Sequence, residues 1–333
     1  MPSTFCLKIK KSNAQKAHFF LSSNNLLDGS FIAGHKGEFV FFPIKKGKEG
    51  NARNFGKVEK FILIKRQETQ RKKIALPFEI IGSIALLEVR GGEGKKAKEA
   101  AKEILKTHAG VKTIAKKAAG TGGKYRIRPI KIIAGKKISK TVCKESGCGF
   151  AIDLNKAYYT PRLSHERLRI ASQVKKGENI LALFSGVCPY PIVIEKHSSP
   201  AKIIAIELNP QAHKMALENI KLNKCKKIIA IKADVKKELK KKKYKNRASR
   251  IIMPHPSVAL EFFPCALEAA KSGCTIHLYS FCGTGDKEYK KIFENAKKIA
   301  SKKGISLRLL RWRVARPYSS AQQQIVLDIK VKK

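Results

Sequence analysis

The sequence predicts an α/β protein: a parallel sheet covered by helices on both faces, preceded by two smaller α+β domains. Three observations carry this. From about Tyr158 onward, short apolar runs alternate with helical patterns. Those runs are almost unbroken Ile, Leu and Ala, as in strands buried on both faces. Before Tyr158 the strand-like segments are separated by polar turns, and the one long apolar stripe is helical.

The elements follow in order. In residues 1–66, a small α/β module, LKIKK and EFVFFPI read as strands. Between them 13–27 reads as a helix with Ala14, Ala17, His18 and Leu21 on one face. IKKGKEGNARNFGK is polar and basic and reads as a mobile loop, and KRQETQRKK as a linker. In 75–157, a middle α+β domain, PFEIIGSIALLEV reads as strand, turn and strand. GGEG then turns into a helix whose Ala97, Ala100, Ala101, Ile104 and Leu105 recur at helical spacing. Strands follow around YRIRPIKIIAG and GFAIDL.

In 158–333, ILALF, KIIAIEL, KIIAIKAD, RIIM and TIHLYSF read as successive strands. Helices are predicted over 210–223, over SVALEFFPCALEAAK despite Pro264, and over DKEYKKIFENAKKIASKK. Pro210 suits a first helical turn. LRLLRWRV and QQIVLDIKV close the chain as an antiparallel hairpin at the sheet edge.

Charge narrows the function. Among 333 residues, Lys and Arg number 71 and Asp and Glu 25, a formal charge of +46. A chain this basic binds polyanions, and nucleic acid is the leading partner. An anionic membrane surface is the weaker reading of this charge. No apolar run approaches the ~18 residues that span a bilayer, so an integral membrane protein is not expected, and no membrane partner is assigned. The N-terminus lacks the apolar core of a signal peptide, which points to a cytoplasmic protein. The eight cysteines form no C-x-x-C pair and no zinc-ligand spacing, so neither a metal site nor a disulfide is expected.

The turn after ILAL is F-S-G-V-C-P-Y-P, residues 184–191. In doubly wound folds ligands bind at the carboxyl ends of the strands. Gly186 allows close backbone approach. Glu207 ends the next strand, at about the 20-residue spacing of a carboxylate that binds a ribose diol. Asp234 ends the third strand, where it can accept from an adenine amino group. Phe184, Gly186, Glu207 and Asp234 thus outline an adenosine pocket. A dinucleotide needs G-x-G-x-x-G, but Cys188 and Pro189 stand at and beside the second glycine, and Pro189 removes an amide. S-adenosylmethionine carries no phosphate and fits better.

The run KAYYTPRLSHERLR, followed by FSGVCPYP and IELNP, resembles the archaeal and eukaryotic tRNA (guanine-37, N1)-methyltransferase family. That family has Y-[FY]-[ST]-P-R-L-x-x-E-R, then F-[AS]-G-V-x-P-[YF], then an acidic residue before N-P. PFEIIGSIALLEV, the run from KYRIRPIKIIAG to CKESGCGFAIDL, the opening LKIKKSNAQKAHFFLSSNNLLDGSF and the closing ARPYSSAQQQIVLDIKV are also similar to it. The resemblance implies a Rossmann-like class I methyltransferase domain, S-adenosylmethionine as cofactor, tRNA as partner, and a monomer. It makes Glu166 the general base that takes the N1 proton, with partial burial helping it. The competing reading of Glu166 is a helix carboxylate paired with Arg162 or Arg169. Arg126 is implied to stabilise charge on guanine O6. Arg128 shares its strand parity, and Tyr158, Arg128, Arg162 and Pro254 are the implied substrate contacts.

The sequence departs from the family pattern at Ala182 and Ser249, where aspartates are usual, and at Met253-Pro254-His255-Pro256. Pro254 cannot supply the side chain of a base-holding Asn, so a backbone carbonyl or His255 takes that place. A sister class transfers the aminocarboxypropyl group of the same cofactor in wyosine synthesis. A non-catalytic RNA-binding protein on a decayed methyltransferase fold is the third reading.

Overall fold

A computed structural model describes residues 3–64, 74, 76–118, 125, 127, 129–285, 287–319 and 321–333. The chain divides into two compact units, Met1–Lys73 and Ile74–Lys333.

In the first unit, β1 (Ser3–Lys10) precedes α1 (Ala14–Ser23), β2 (Gly34–Lys36), β3 (Phe39–Pro43), α2 (Glu49–Arg53) and β4 (Lys57–Ile62). The antiparallel sheet runs β2-β3-β1-β4. Strand alternation splits the apolar residues between its faces. Leu7, Val40 and Phe42 pack with Ala17 and Leu21 of α1. Cys6, Phe41 and Leu63 form the other face. The helix is shorter than the 13–27 span, because Asn25 takes a positive φ and turns Leu26 into the core. The 44–57 segment contains α2, anchored by buried Ala52, where a continuous loop was expected. The KRQETQRKK segment lies outside the described residues.

The second unit opens with β5 (Phe78–Ile81), β6 (Ile84–Leu87), α3 (Gly94–Thr107), β7 (Thr113–Lys117) and β8 (Ile130–Gly135), a sheet in the order β5-β6-β7-β8. β6 and β7 are parallel, joined by α3, whose Ala97, Ala100, Ala101 and Ile104 are buried. A hairpin of β9 (Lys140–Glu145) and β10 (Cys148–Asp153) follows. Gly82, between β5 and β6, has a positive φ, and a Cβ there would strike Thr141 and the Val142 carbonyl. β7 and β9 were not read from the sequence; both are short and rich in Thr and Lys.

The remaining elements are α4 (Ser164–Ser172), β11 (Asn179–Leu183), α5 (Pro189–His197), β12 (Lys202–Glu207), α6 (Pro210–Leu222), β13 (Ile228–Lys232), α7 (Val235–Leu239), β14 (Ala248–Met253), α8 (Ala259–Ala269), β15 (Ala270–Gly283), α9 (Glu288–Ser301), β16 (Ser306–Pro317) and β17 (Gln322–Lys332). The sheet order is β13-β12-β11-β14-β15-β17-β16. The first five strands are parallel, and β17 runs antiparallel between β15 and β16. The strand order reverses between β11 and β14, which makes their carboxyl ends the expected binding crevice. On β11, Ile180 and Ala182 face the core under α4, α5 and α6, while Leu181 and Leu183 face that of α7, α8 and α9. This burial of both faces is why the run lacks polar alternation. Pro264 lies inside α8 without ending it, because Phe263, Ala266 and Leu267 hold the helix to the sheet. No helix among the described residues is long and apolar enough to cross a membrane.

Candidate active site

The turn after β11 places Phe184, Gly186 and Cys188 at φ of 54°, 54° and 64°. Glu207, at the end of β12, fastens this turn. Its Oε2 accepts from the Gly186 amide at 2.7 Å and its Oε1 from the Asn209 amide at 2.8 Å. Burial raises the Glu207 carboxyl, against the lowering effect of these amides. Each carboxylate oxygen keeps a further lone pair for a ribose hydroxyl. Pro189 and Pro191 both lie in the first turn of α5 and carry no amide hydrogen. Two of the amides that could cradle a diphosphate at this helix start are therefore absent, and the turn fits a cofactor without phosphate better. Phe184 packs edge-on against Phe262 and His255, with centroids 4.9 and 5.5 Å apart. Asp234 caps α7, its Oδ1 accepting from the Lys237 amide at 3.0 Å.

The Y-Y-T-P-R-L-S-H-E-R segment lies across the start of α4. Glu166 is 3% exposed. Arg169 is bidentate on it, with Nε to Oε2 and Nη2 to Oε1 both at 2.8 Å. The Tyr279 hydroxyl donates to Oε1 at 2.7 Å and accepts from the Tyr190 hydroxyl at 2.9 Å. Arg313 of β16 lies 3.8 Å from Oε2. Of the two ion-pair partners weighed for Glu166, Arg169 is the one observed. Arg162 reaches Glu88 at 3.2 Å and Glu79 at 3.6 Å.

Arg169 continues to Asp328, which also bonds His277 Nδ1 at 2.6 Å. Arg250 Nη1 meets His277 Nε2 at 2.7 Å. Arginine can only donate, so Nε2 is bare and Nδ1 carries the hydrogen. Burial pushes the ring below its ordinary 6.5, against the pull of Asp328. Burial also works to raise the Asp328 carboxyl, but His277 and Arg169 outweigh it and hold the carboxyl well below its usual range.

The family model described as the TRM5/TYW2 methyltransferase domain matches residues 141–308, and the TYW2 N-terminal domain model matches 61–138. The tRNA (guanine(37)-N(1))-methyltransferase Trm5b of Pyrococcus abyssi is 31% identical to this chain, over 98% of it and 99% of the relative. The chain belongs to the TRM5/TYW2 methyltransferase family. The crystal structure of that Pyrococcus abyssi Trm5b matches with a TM-score of 0.72 at 30% identity, covering 99% of this chain and 100% of that one. The tRNA(Phe) (4-demethylwyosine(37)-C(7)) aminocarboxypropyltransferase of Methanocaldococcus jannaschii is 31% identical over 62% of this chain and 81% of the relative. The Methanocaldococcus jannaschii TYW2 structure in complex with AdoMet has a TM-score of 0.59 at 25% identity, covering 77% of this chain and 100% of that one. The class I fold and S-adenosylmethionine dependence go with this membership.

Within this TRM5/TYW2 methyltransferase, the remaining expected residues fall in different places. Tyr158 is 62% exposed, and its hydroxyl accepts from Arg316 at 3.0 Å. Its carbonyl is 3.9 Å from where a Cβ on Gly186 would stand, so Tyr158 borders the turn after β11. Pro254 directly follows β14. Arg126 and Arg128 lie outside the described residues. Tyr244, in the lysine run 236–245, is buried with its hydroxyl on Glu238 and forms part of the core. Tyr279, Arg313 and Asp328 neighbour Glu166 or Arg169, and Tyr190 backs Tyr279; none of the four was expected there from the sequence. Tyr190 stood inside the quoted turn; the other three lie on distant strands with no local signal.

Proposed function

We propose that this chain transfers the methyl group of S-adenosylmethionine to N1 of guanosine 37 in tRNA. The observation that carries this is coverage. The Trm5b relative matches both units nearly end to end, whereas the aminocarboxypropyltransferase and the TYW2 structure leave a substantial part unmatched. The TYW2-type match over 61–138 favours aminocarboxypropyl transfer as the second reading. The intact turn at Gly186, the clamp from Glu207 and the buried Glu166 speak against a decayed, non-catalytic fold.

Neutral guanine keeps a proton on N1, and Glu166 takes it. Arg126 steadies the charge that then grows on O6. Bound S-adenosylmethionine supplies the electrophilic methyl of its sulfonium. Phe184, Gly186, Glu207 and Asp234 hold its adenosine part, with Asp234 also capping α7. Tyr158, Arg128 and Pro254 border the target base. Arg162, ion-paired with Glu79 and Glu88, supports a joining role beside substrate contact.

We divide the chain into a tRNA-binding module over 1–66, a middle domain over 75–157 and a catalytic domain over 158–333. It works in the cytoplasm as a monomer, and its positive charge serves tRNA binding.

An N1 methyl blocks the Watson–Crick face. Reverse transcription of a treated guanosine-37 transcript therefore stops at that position, and an adenosine-37 transcript gives no new stop. Read-through of the guanosine transcript would overturn the proposal.

A further inference from the structure

The two oxygens of Glu166 are not equivalent. Oε1 receives two short hydrogen bonds, from Tyr279 at 2.7 Å and Arg169 Nη2 at 2.8 Å. Oε2 receives one, from Arg169 Nε at 2.8 Å, and its second neighbour, Arg313, is beyond hydrogen-bond reach at 3.8 Å. The surroundings differ in access as well. Tyr279, Tyr190 and Arg169 are buried or nearly so, while the Arg313 side chain is 42% exposed. Among the described residues Oε2 thus accepts one hydrogen bond fewer than Oε1 and has the neighbour that reaches solvent.

The hydroxyl row has one possible direction. A carboxylate only accepts, so Tyr279 donates to Glu166 and must take its own hydrogen bond from Tyr190. Burial raises the Tyr279 hydroxyl well above its usual range, with Tyr190 and Glu166 adding to this. Burial likewise raises that of Tyr190. Both phenols stay protonated through neutral pH and serve as donors. Tyr190 lies in the first turn of α5, directly after the turn that carries Gly186, so the row runs from the start of α5 to the carboxylate.

We propose that Tyr279, backed by Tyr190, is a positioning residue that occupies Oε1 of Glu166 and leaves Oε2 as the atom that takes the guanine N1 proton. This rests on the methyl-transfer reading above. With the proton on Oε2, Oε1 still accepts from Tyr279, so no buried hydrogen bond reverses during the reaction. The N1–H bond breaks, the Oε2–H bond forms, and the N1 electron pair attacks the methyl carbon while the sulfonium sulfur keeps its bonding pair. The groups facing Glu166 are Arg169 on α4, Tyr279 on β15 and Arg313 on β16, with Tyr190 of α5 and Asp328 of β17 one contact further.

The experiment is single-turnover methyl transfer against pH for the full chain and for Tyr279→Phe, Tyr190→Phe and the double variant. Cofactor affinity is read by calorimetry and folding by thermal melting. Tyr279→Phe slows transfer roughly 10- to 100-fold, less than the ~10²–10⁴ of a whole positioned base. Removing a donor disfavours the charged carboxylate, so the acidic limb of the rate moves to higher pH, with cofactor affinity kept. Tyr190→Phe acts in the same direction but less, and adds nothing once Tyr279 is Phe. An unchanged rate and pH profile in folded Tyr279→Phe would overturn the proposal. If that variant melts early, Tyr190→Phe decides alone: an unchanged acidic limb there overturns it. A parent chain that methylates nothing refutes the functional reading instead, and the two failures are distinct.

Discussion

Arg167 and Glu145 form a buried two-pronged ion pair, with Nε and Nη2 each 2.5 Å from a carboxylate oxygen. Arg167 also bonds the Thr160 carbonyl at 3.0 Å, and Tyr159 donates to Glu145 at 2.6 Å. Glu166 and Arg167 are neighbours in sequence but face different partners: one meets Arg169 and Tyr279, the other locks the motif to the end of β9. Arg167→Met leaves Glu145 buried without its counter-charge, with the Tyr159 hydrogen bond remaining, and removing one partner of such a pair costs about 3–5 kcal/mol. Urea denaturation checks this. A loss under about 1 kcal/mol, the value of an exposed pair, would contradict the assignment.

Glu207 offers two acceptors to two amides. Glu207→Gln keeps the shape but turns one oxygen into a donor facing an amide donor. Hydrogen bonds to charged groups contribute about 1.5–3 kcal/mol, so S-adenosylmethionine affinity falls roughly 10- to 100-fold. Calorimetry reads the loss, and tRNA affinity stays near its parent value. Undiminished cofactor affinity would remove Glu207 from the pocket.

His277 and Asp328 give the fold an acid limit. The folded His277 ring titrates below its ordinary 6.5, so between the two values the unfolded chain holds the extra proton. Stability is full above about 6.5 and falls as pH drops below it. Asp328, also held low, adds a second loss below its ordinary 3.8. Urea midpoints measured from pH 7.5 to 4.5 should decline, and His277→Gln should flatten that decline. A midpoint constant down to pH 4.5 would contradict the neutral, buried ring.

Much of this was legible in the chain itself. The β11 to β15 strands announced themselves because burial on both faces removes polar alternation. That Gly186 and Glu207 meet was legible because a doubly wound sheet fixes which strand ends lie side by side. The Glu166 surroundings were only half legible. Arg169 is three residues away on one helix, but Tyr279, Arg313 and Asp328 come from β15, β16 and β17, joined to α4 only by the fold. The capping role of Asp234 also escaped, since a strand-end carboxylate suits a ligand or a helix equally. Asn219 and Asn223 escaped for a similar reason: they grip the β10 backbone at Ala151 and Gly149 across the fold.

On the proposed role of Glu166 as the base, Glu166→Gln ends proton acceptance while Asp328 still holds Arg169. Single-turnover methyl transfer should fall by ~10²–10⁴ with cofactor affinity nearly unchanged. Near-parental rates across pH 6–9 would leave Glu166 with its ion-pair role alone.

The most direct measurement follows two labels at once. A guanosine-37 tRNA transcript is incubated with the purified chain and S-adenosylmethionine labelled in its methyl group in one sample and in its aminocarboxypropyl carbons in another. The RNA is then digested and its nucleosides are weighed. Methyl label alone is expected, on 1-methylguanosine from position 37. Aminocarboxypropyl label on the RNA, or no label at all, would contradict it.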